Sequence, residues 1–167
     1  MKVVKGLVVV GLAAALLAGC GNNNNEEANN ANAQADVVTT ASIVNKAEPL
    51  IKALGENGNW ISAILNDLTV DKEIVVAGEF HDKGDATKDV YRKLALYAQD
   101  EDHNITASYT LTVPKMTVQS ENFRIQGGTV KGDVVVEANG FNLHSTASID
   151  GNLIFASEAV KSTAVIE

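Results

Sequence analysis

The chain has 167 residues and a formal net charge of −8, from 21 acidic and 13 basic residues. This balance disfavours nucleic acid as a partner, because a basic patch is what attracts phosphate backbones. The only cysteine is Cys20, which excludes an intramolecular disulfide. A hydrophobic core must therefore hold the fold, and residues 36–167 are long enough to form one domain around it.

The first 19 residues have the pattern of an export signal. Lys2 and Lys5 precede the apolar run 7–17, and an Ala-Gly pair separates that run from Cys20. A transmembrane helix needs about 20 apolar residues, and this run is shorter and has no basic flank after it. We therefore predict a cleaved signal peptide over residues 1–19.

The four residues Leu17-Ala18-Gly19-Cys20 resemble the lipobox of bacterial lipoproteins. The resemblance implies that a diacylglycerol alkylates Cys20, that the signal is cut just before it, and that the freed amine is acylated. Two or more acyl chains anchor a protein stably. We expect an extracytoplasmic protein anchored to the bacterial membrane, at the cell surface or facing the periplasm. A free thiol or an intermolecular disulfide is the alternative.

Residues 20–35 predict a disordered, Asn-rich tether. They contain Asn, Ala, Glu, Gln and Gly and no large apolar side chain, so burial cannot offset the entropy of ordering them. A flexible coil of this length reaches roughly 20–25 Å, enough to hold a small domain clear of the headgroups. A prion-like Asn-rich segment is the alternative interpretation.

One amphipathic helix is predicted at about 46–54. Its apolar face has i, i+3, i+4, i+7 spacing and consists of Ala47, Leu50, Ile51 and Leu54. Asn45 and Glu48 resemble a capping box, and Gly55 predicts a left-handed helix end. Beyond the helix, runs rich in β-branched and aromatic residues are separated by Gly, Asn and Asp, which predicts short strands.

The C-terminal third contains an internal repeat. An offset of nineteen residues aligns three apolar pairs: Val130 with Ile149, Val134 with Leu153, and Val136 with Phe155. A fainter copy lies eighteen residues earlier and aligns Met116, Val118, Phe123 and Ile125 with Val134, Val136, Phe141 and Leu143. This period predicts a mainly β fold, a right-handed parallel β-helix with three sides and about 18–19 residues per turn, in which stacked repeats bury the aligned pairs.

Two glycine-polar steps recur at equivalent positions of the repeat. Gly132-Asp133 and Gly151-Asn152 predict sharp corners at which the glycine takes a positive φ. A metal site built from Asp133 and Asn152 is the alternative, although turn chemistry accounts for both residue types. The three histidines share no zinc-ligand spacing; they are His81, His103 and His144.

The segment TVKGDVVVEANGFNLHSTASIDGNLIF, residues 129–155, resembles bactofilin-type, polymer-forming β-solenoids, in which a Gly-Asp or Gly-Asn step recurs once per turn. The resemblance covers about residues 117–167 and implies end-to-end polymerisation without a nucleotide. Bactofilins usually act inside the cell, whereas this chain carries an export pattern. The part that begins at Ala47 resembles the start of right-handed parallel β-helices, which implies that the helix caps the first turn.

Many capped β-helices are polysaccharide lyases or hydrolases, so an enzyme is an alternative. Catalysis on acidic sugars needs clustered carboxylates, a metal and a basic residue. The chain has two arginines, Arg92 and Arg124, and its acidic residues concentrate in loops 81–89 and 99–104. Neither loop has EF-hand spacing, and we expect no enzyme and no cofactor. The weak calcium candidates are Asp100, Glu101 and Asp102.

The last residues predict an association surface. We expect Val135 and Ile154 to point outward as an apolar pair, and Val165 to begin a side equivalent to TVKGD at an uncovered end. An uncovered strand exposes unpaired N–H and C=O groups, which favours pairing with the same end of a second molecule. A missing C-terminal segment is the alternative.

We therefore expect a membrane-anchored lipoprotein that acts as a structural or binding module of the cell envelope. The alternatives are a carbohydrate-active β-helix enzyme and a calcium-dependent glycan-binding module.

Overall fold

The computed structural model describes residues 41–167, which are mainly β. The predicted signal peptide, Cys20 and the tether lie outside the described residues. Every strand pairing in the two large sheets is parallel, as expected when successive passes of the chain add strands in one direction. No helix in this described range is long and apolar enough to cross a membrane.

The first sheet has six strands, whose order in the sheet follows their order in the chain. They are β1 (Ser42–Ile43), β2 (Ile61–Ala63), β5 (Arg92–Ala95), β9 (Phe123–Gln126), β11 (Asn142–Leu143) and β14 (Val165–Ile166). Burial alternates along β9 and over the first three residues of β5, as a two-residue period requires: Leu94 and Ile125 are fully buried, whereas Lys93 and Arg124 are half-buried. One face of the first sheet therefore covers the core, and the other points away from it.

The second sheet contains two nine-residue strands flanked by short ones. Its strands are β3 (Leu68–Thr69), β4 (Ile74–Val76), β8 (Thr110–Val118), β10 (Gly128–Val136), β12 (Ala147–Asp150) and β13 (Leu153–Phe155). β3 and β4 pair with the two halves of β8, and β12 and β13 pair with the two halves of β10. The second sheet thus has two parts that meet where β8 and β10 are irregular.

The core consists of apolar side chains aligned across neighbouring strands. Three stacks lie in the second sheet: Leu68, Leu111, Val130, Ile149; Ile74, Met116, Val134, Leu153; and Val76, Val118, Val136, Phe155. The residues on β8 and β10 are fully buried, and those on β12 and β13 are partly buried. The repeat alignment predicted from the sequence is confirmed at all three apolar pairs, and full burial of each such side chain contributes about 1.5–3 kcal/mol.

A β-bulge interrupts the pairing of β8 with β10. The register changes from Lys131 opposite Thr112 to Asp133 opposite Lys115. Val113 and Pro114 therefore oppose Gly132, and proline, which has no N–H to donate, is tolerated at such a bulge. Gly132 has φ 140°, and a Cβ there would overlap the carbonyl oxygen of Val113. The predicted positive φ is confirmed at this corner.

The prediction of a positive φ at Gly151 is wrong. Gly151 is not among the glycines with left-handed backbone. A Cβ at this position would instead overlap the carbonyl oxygen of Gly132 on the neighbouring strand. Close approach of two backbones, rather than turn geometry, explains the glycine.

The helix α1 (Ala47–Leu54) lies where the apolar spacing predicts it, and it buries Leu50, Ala53 and Leu54. The capping details differ from the prediction. Lys46 is the N-cap and makes no side-chain cap bond, because Asn45 instead accepts a hydrogen bond from the Leu65 N–H at 2.8 Å. Gly55 has φ −71° and is extended, so the predicted left-handed helix end is also wrong.

Two insertions separate the early strands. The segment between β4 and β5 contains a 3-10 turn at Asp82–Gly84, and an antiparallel hairpin of β6 (Tyr97–Gln99) and β7 (Ile105–Ser108) follows β5. The hairpin packs Tyr97 and Ile105 against Ala63 and Ala95 of the first sheet, forming a small second core. It thus covers part of the face of the first sheet that points away from the main core.

A second helix, α2 (Glu158–Thr163), follows β13 and was not predicted from the sequence. Its N-cap is Ser157, whose hydroxyl accepts a hydrogen bond from the Val160 N–H at 3.2 Å. Val160 packs against the core cluster, together with Ala164 just beyond the helix. The end of the stack therefore has a partial cover.

Candidate functional site

The predicted lipidation residue, Cys20, lies outside the described residues, which are 41–167. Within that range no three His, Cys, Asp or Glu side chains form a group that could hold a metal ion. The predicted sites in the range are the calcium loop, the two corners and the association residues.

The predicted calcium loop is the turn of the β6–β7 hairpin. The Asp100 carboxylate accepts hydrogen bonds from the backbone N–H groups of Asp102 and Asn104, at 3.0 and 2.8 Å, and from the Asn104 amide at 3.2 Å. These bonds, first among them that from the Asn104 backbone, lower the pKa of Asp100. Glu101 and Asp102 are exposed. Asp100 therefore organises the turn, and the structure does not assemble the predicted calcium candidates into a metal site.

The corner residues Asp133 and Asn152 are brought together across neighbouring strands. Asp133 Oδ1 accepts hydrogen bonds from the backbone N–H and from the side-chain amide of Asn152, both at 2.9 Å. These bonds, first that from the Asn152 backbone, lower the pKa of Asp133. The pair stabilises the corner through these hydrogen bonds.

The association residues occupy two places. Val135 and Ile154 are aligned partners in β10 and β13, and they point away from the core because Val134 and Val136 are fully buried. Ile154 is 46% exposed and Val165 is 50% exposed. Val165 pairs with Asn142 in the first sheet, so the prediction that it begins the side equivalent to TVKGD is wrong. The six residues of α2 and the residues that flank it lengthen this repeat, so a strand equivalent to TVKGD would begin later in the chain.

Arg92 is 1% exposed, and each of its five N–H groups donates a hydrogen bond. The acceptors are the carbonyl oxygens of Ala53, Gly55, Asn59 and Ala77 and the hydroxyl of Ser120. The guanidinium also lies 4.1 Å from the centroid of the Phe80 ring. Burial lowers its pKa to about 10. These contacts tie the end of α1 to later strands, so Arg92 is not free to act as a catalytic base.

A second polar group, which the sequence did not predict, lies on the face of the first sheet that points away from the core. Lys93, Arg124 and Asn142 occupy aligned positions on β5, β9 and β11. Aligned residues on paired strands lie about 4.8 Å apart. Lys93 Nζ donates to the Tyr97 hydroxyl at 2.8 Å and lies 5.1 Å from the centroid of that ring. We call Lys93, Arg124, Asn142 and Tyr97 the cationic cluster.

The cationic cluster is partly shielded from water. Burial, and then the nearby charge of Arg124, lower the pKa of Lys93 to about 8. Burial raises the pKa of Tyr91 and of Tyr97, and the charge of Arg124 opposes that rise in both. Within residues 41–167 Lys93 makes no ion pair. Arg124 and Asn142 follow the eighteen-residue offset of the repeat, whereas an insertion separates Lys93 from them, so the sequence gives no periodic signal for the complete cluster.

Among residues 41–167, Glu167 is the acidic residue that forms an ion pair with Arg124. Its carboxylate accepts a hydrogen bond from the Asn142 amide at 3.1 Å and lies 3.8 Å from Arg124 Nη2 and 3.6 Å from His144 Nε2. The Asn142 bond is the largest of the effects that lower the pKa of Glu167. Two atoms of the cluster, Arg124 Nε and Asn142 Oδ1, are buried without a hydrogen-bond partner.

An open depression of about 790 Å³ lies beside the first insertion. Its lining is Asp82, Asp89, Val90, Tyr91, Glu121 and Asn122. The Asn122 amide donates to the carbonyl oxygen of Val90 at 3.0 Å, which fixes one wall. Among the described residues, the acidic side chains here do not form a group suited to a metal ion.

No family model, no curated protein and no solved structure matches the chain. Any functional assignment therefore rests on the residues and contacts of this chain.

Proposed function

We propose that the protein is an exported bacterial lipoprotein whose folded part is a small right-handed parallel β-helix, acting as a structural or binding module of the cell envelope. The first sheet and the two parts of the second sheet would be its three sides. Parallel pairing in chain order and the aligned apolar stacks support this architecture. The lipobox-like residues before Cys20 support the location.

The observation that carries the module function is the apolar edge formed by β13 and β14. Ile154, Val165 and Ile166 are each about half exposed on these strands, at 46%, 50% and 53%. An edge strand presents unpaired backbone N–H and C=O groups that pair readily with another strand. Such edges are normally blocked by charge, but here Lys161 lies 3.7 Å from Glu158 and Glu167 is bonded to Asn142. The nearby charges are thus engaged within the molecule.

Self-association through this edge joins the same end of two molecules. A two-fold axis would place β14 antiparallel to its copy, which is the geometry of a closed dimer. The opposite end exposes less apolar surface for association, because α1 packs Leu50 and Leu54 against the core there. Pairing of like ends is therefore favoured over an open head-to-tail filament.

Sedimentation velocity of the full-length protein in detergent, over a range of concentrations, tests the proposal. The matched variants are Val165→Lys on β14 and Ile43→Lys on β1, which place the same charge on exposed strands at opposite edges of the first sheet. We expect dimers of the wild type and of Ile43→Lys, and monomers of Val165→Lys. A wild type that remains monomeric at high concentration contradicts the proposal. Equal loss in both variants indicates head-to-tail assembly instead.

A further inference from the structure

We propose that the cationic cluster binds the carboxylate of an acidic saccharide. The inference rests on the proposed function for its choice of ligand, since glycans are what an envelope module meets. It does not depend on self-association, because Lys93 and Arg124 lie on β5 and β9, whereas self-association uses the β14 strand.

The cluster presents two neighbouring cations to one side of the sheet. Lys93 and Arg124 are direct partners in the pairing of β5 with β9, and both point away from the core. The one carboxylate that approaches either of them among the described residues is Glu167, at 3.8 Å from Arg124. That distance is longer than a charge-assisted hydrogen bond, which is about 2.7–2.9 Å. A carboxylate placed between Lys93 and Arg124 could bond to both.

Two atoms without hydrogen-bond partners indicate that the ligand carries a hydrogen-bond donor as well as an anionic group. Arg124 Nε is a buried donor and Asn142 Oδ1 is a buried acceptor, and neither has a partner. Leaving such groups unpaired costs free energy, so a small rotation of the Arg124 and Asn142 side chains that exposes both atoms to a ligand would be repaid by the new hydrogen bonds. Arg124 Nε needs an acceptor, which a carboxylate supplies. Asn142 Oδ1 needs a donor, which a hydroxyl supplies. A hydroxylated acid carries both groups.

Two aromatic side chains beside the cluster suit a sugar. Tyr97 is buried in the second core and holds Lys93, whereas Tyr91 is only partly buried and is close enough to Arg124 for the cation to affect its pKa. Trp60 packs edge-on to Tyr91, with ring centroids 6.3 Å apart. Aromatic side chains give an apolar surface with a polar edge, which matches the C–H and hydroxyl groups of a pyranose.

The overall charge limits the kind of acid. A net charge of −8 repels densely charged polymers at long range. A glycan with widely spaced carboxylates reduces that repulsion and still offers one carboxylate to the cluster. Glu167 would then act as an internal competitor, because its carboxylate already contacts Asn142 and lies near Arg124.

The test is calorimetric titration of full-length protein in detergent with three probes. A hyaluronate tetrasaccharide alternates glucuronate with N-acetylglucosamine and supplies spaced carboxylates. Chitotetraose supplies N-acetylglucosamine without a carboxylate, and sodium acetate supplies a carboxylate without a sugar. We expect saturable binding of hyaluronate alone.

Four variants locate the site. Arg124→Gln and Lys93→Gln should each weaken hyaluronate binding at least about tenfold, because each removes a charge-assisted bond. Glu167→Gln should tighten binding, since the competing carboxylate is lost. Lys131→Gln removes the same charge from an exposed position on the second sheet and should change nothing. In NMR spectra the Lys93 pKa should rise when the ligand is bound, a readout that a merely structural role would not move.

Three results would overturn the inference: no saturable binding of hyaluronate, equal binding of chitotetraose, or equal weakening by Lys131→Gln. If Arg124→Gln loses binding because it unfolds, that variant is uninformative. Lys93→Gln and the shift of the Lys93 pKa in the wild type then decide the question. In sedimentation velocity, Arg124→Gln should have the same oligomeric state as the wild type. If hyaluronate does not bind and sedimentation still shows dimers, the inference fails and the proposed function stands.

Discussion

The Arg92 guanidinium donates a hydrogen bond to the Ser120 hydroxyl at 3.0 Å, and that hydroxyl donates in turn to the carbonyl oxygen of Gly78 at 2.8 Å. The cation also bonds to two carbonyl oxygens at the C-terminal end of α1, where the helix dipole favours positive charge. One buried side chain thus joins α1, the first insertion and the segment after β8. Its acceptors are all neutral.

Replacing Arg92 by Met should destabilise the protein by at least about 3 kcal/mol, because buried carbonyl groups lose their donors. Urea denaturation measures the change in the free energy of unfolding. Lys52→Met, which removes a cation from an exposed position on α1, is the control and should change stability by less than about 0.5 kcal/mol. Equal effects of the two substitutions would contradict a structural role for Arg92.

The helix and the repeat register could be predicted from the sequence because both depend on local periodicity. Leu50 and Leu54 follow the helical period, and Val134 and Leu153 are separated by a constant offset with no insertion between them. The early strands have no such signal, since Ile74 pairs with Met116 across two insertions. Periodicity fails wherever a loop of arbitrary length is added.

The capping details and the cationic cluster could not be predicted for a different reason. Asn45 resembles an N-cap in the sequence, but its side chain bonds to Leu65, which is distant along the chain. Arg92 and Arg124 are equivalent as residue types, yet one lies inside and the other outside, because they are at positions of opposite parity on β5 and β9. Contacts between residues that are distant in the sequence therefore determine both the helix capping and the burial of the two arginines.

Three glycine substitutions separate overlap from backbone strain. Gly132→Ala adds a Cβ that overlaps a neighbouring carbonyl and also strains a positive-φ backbone, so it should lower the free energy of unfolding by more than about 3 kcal/mol. Gly151→Ala causes only the overlap of its Cβ with the Gly132 carbonyl, and it should lower the free energy of unfolding by about 1–3 kcal/mol. Gly84 has φ 71° and open space around it, so Gly84→Ala should cost about 1–2 kcal/mol from strain alone. Thermal melts establish the order, and a Gly151→Ala variant as stable as the wild type would remove the case for close backbone approach.

Adjacent valines on β4 test the inward and outward alternation. Val76 is fully buried, whereas Val75 is 40% exposed. Val76→Ala should lower the free energy of unfolding by about 2 kcal/mol, because it leaves a cavity in an aligned stack, and Val75→Ala by less than about 0.5 kcal/mol. The two variants have identical composition, so chemical denaturation compares position alone. The reverse order would mean that the strand presents its other face to the core.

Lys93 should make stability depend on alkaline pH. Its folded pKa is about 8, below the ordinary value of 10.5, so between these values the unfolded chain binds more protons and stability rises with pH. Below pH 8 both states are protonated and the full cost of burying the charge remains. Lys93→Met should therefore be more stable than the wild type at pH 7, with a gap that narrows by at most about 1.4 kcal/mol per pH unit from pH 8 to 10. Urea melts at each pH measure the gap, and a constant gap would refute the lowered pKa.

Cys20→Ser tests the anchor independently of the fold. The variant should leave the membrane fraction and should not incorporate a metabolic fatty-acid probe, because serine has a hydroxyl in place of the thiol that lipobox processing alkylates. Its free energy of unfolding should equal that of the wild type, since Cys20 lies outside residues 41–167, which contain the hydrophobic core. Membrane fractionation with probe labelling gives the first result and urea denaturation the second. A Cys20→Ser protein that is still labelled and membrane-bound would place the anchor elsewhere in the chain.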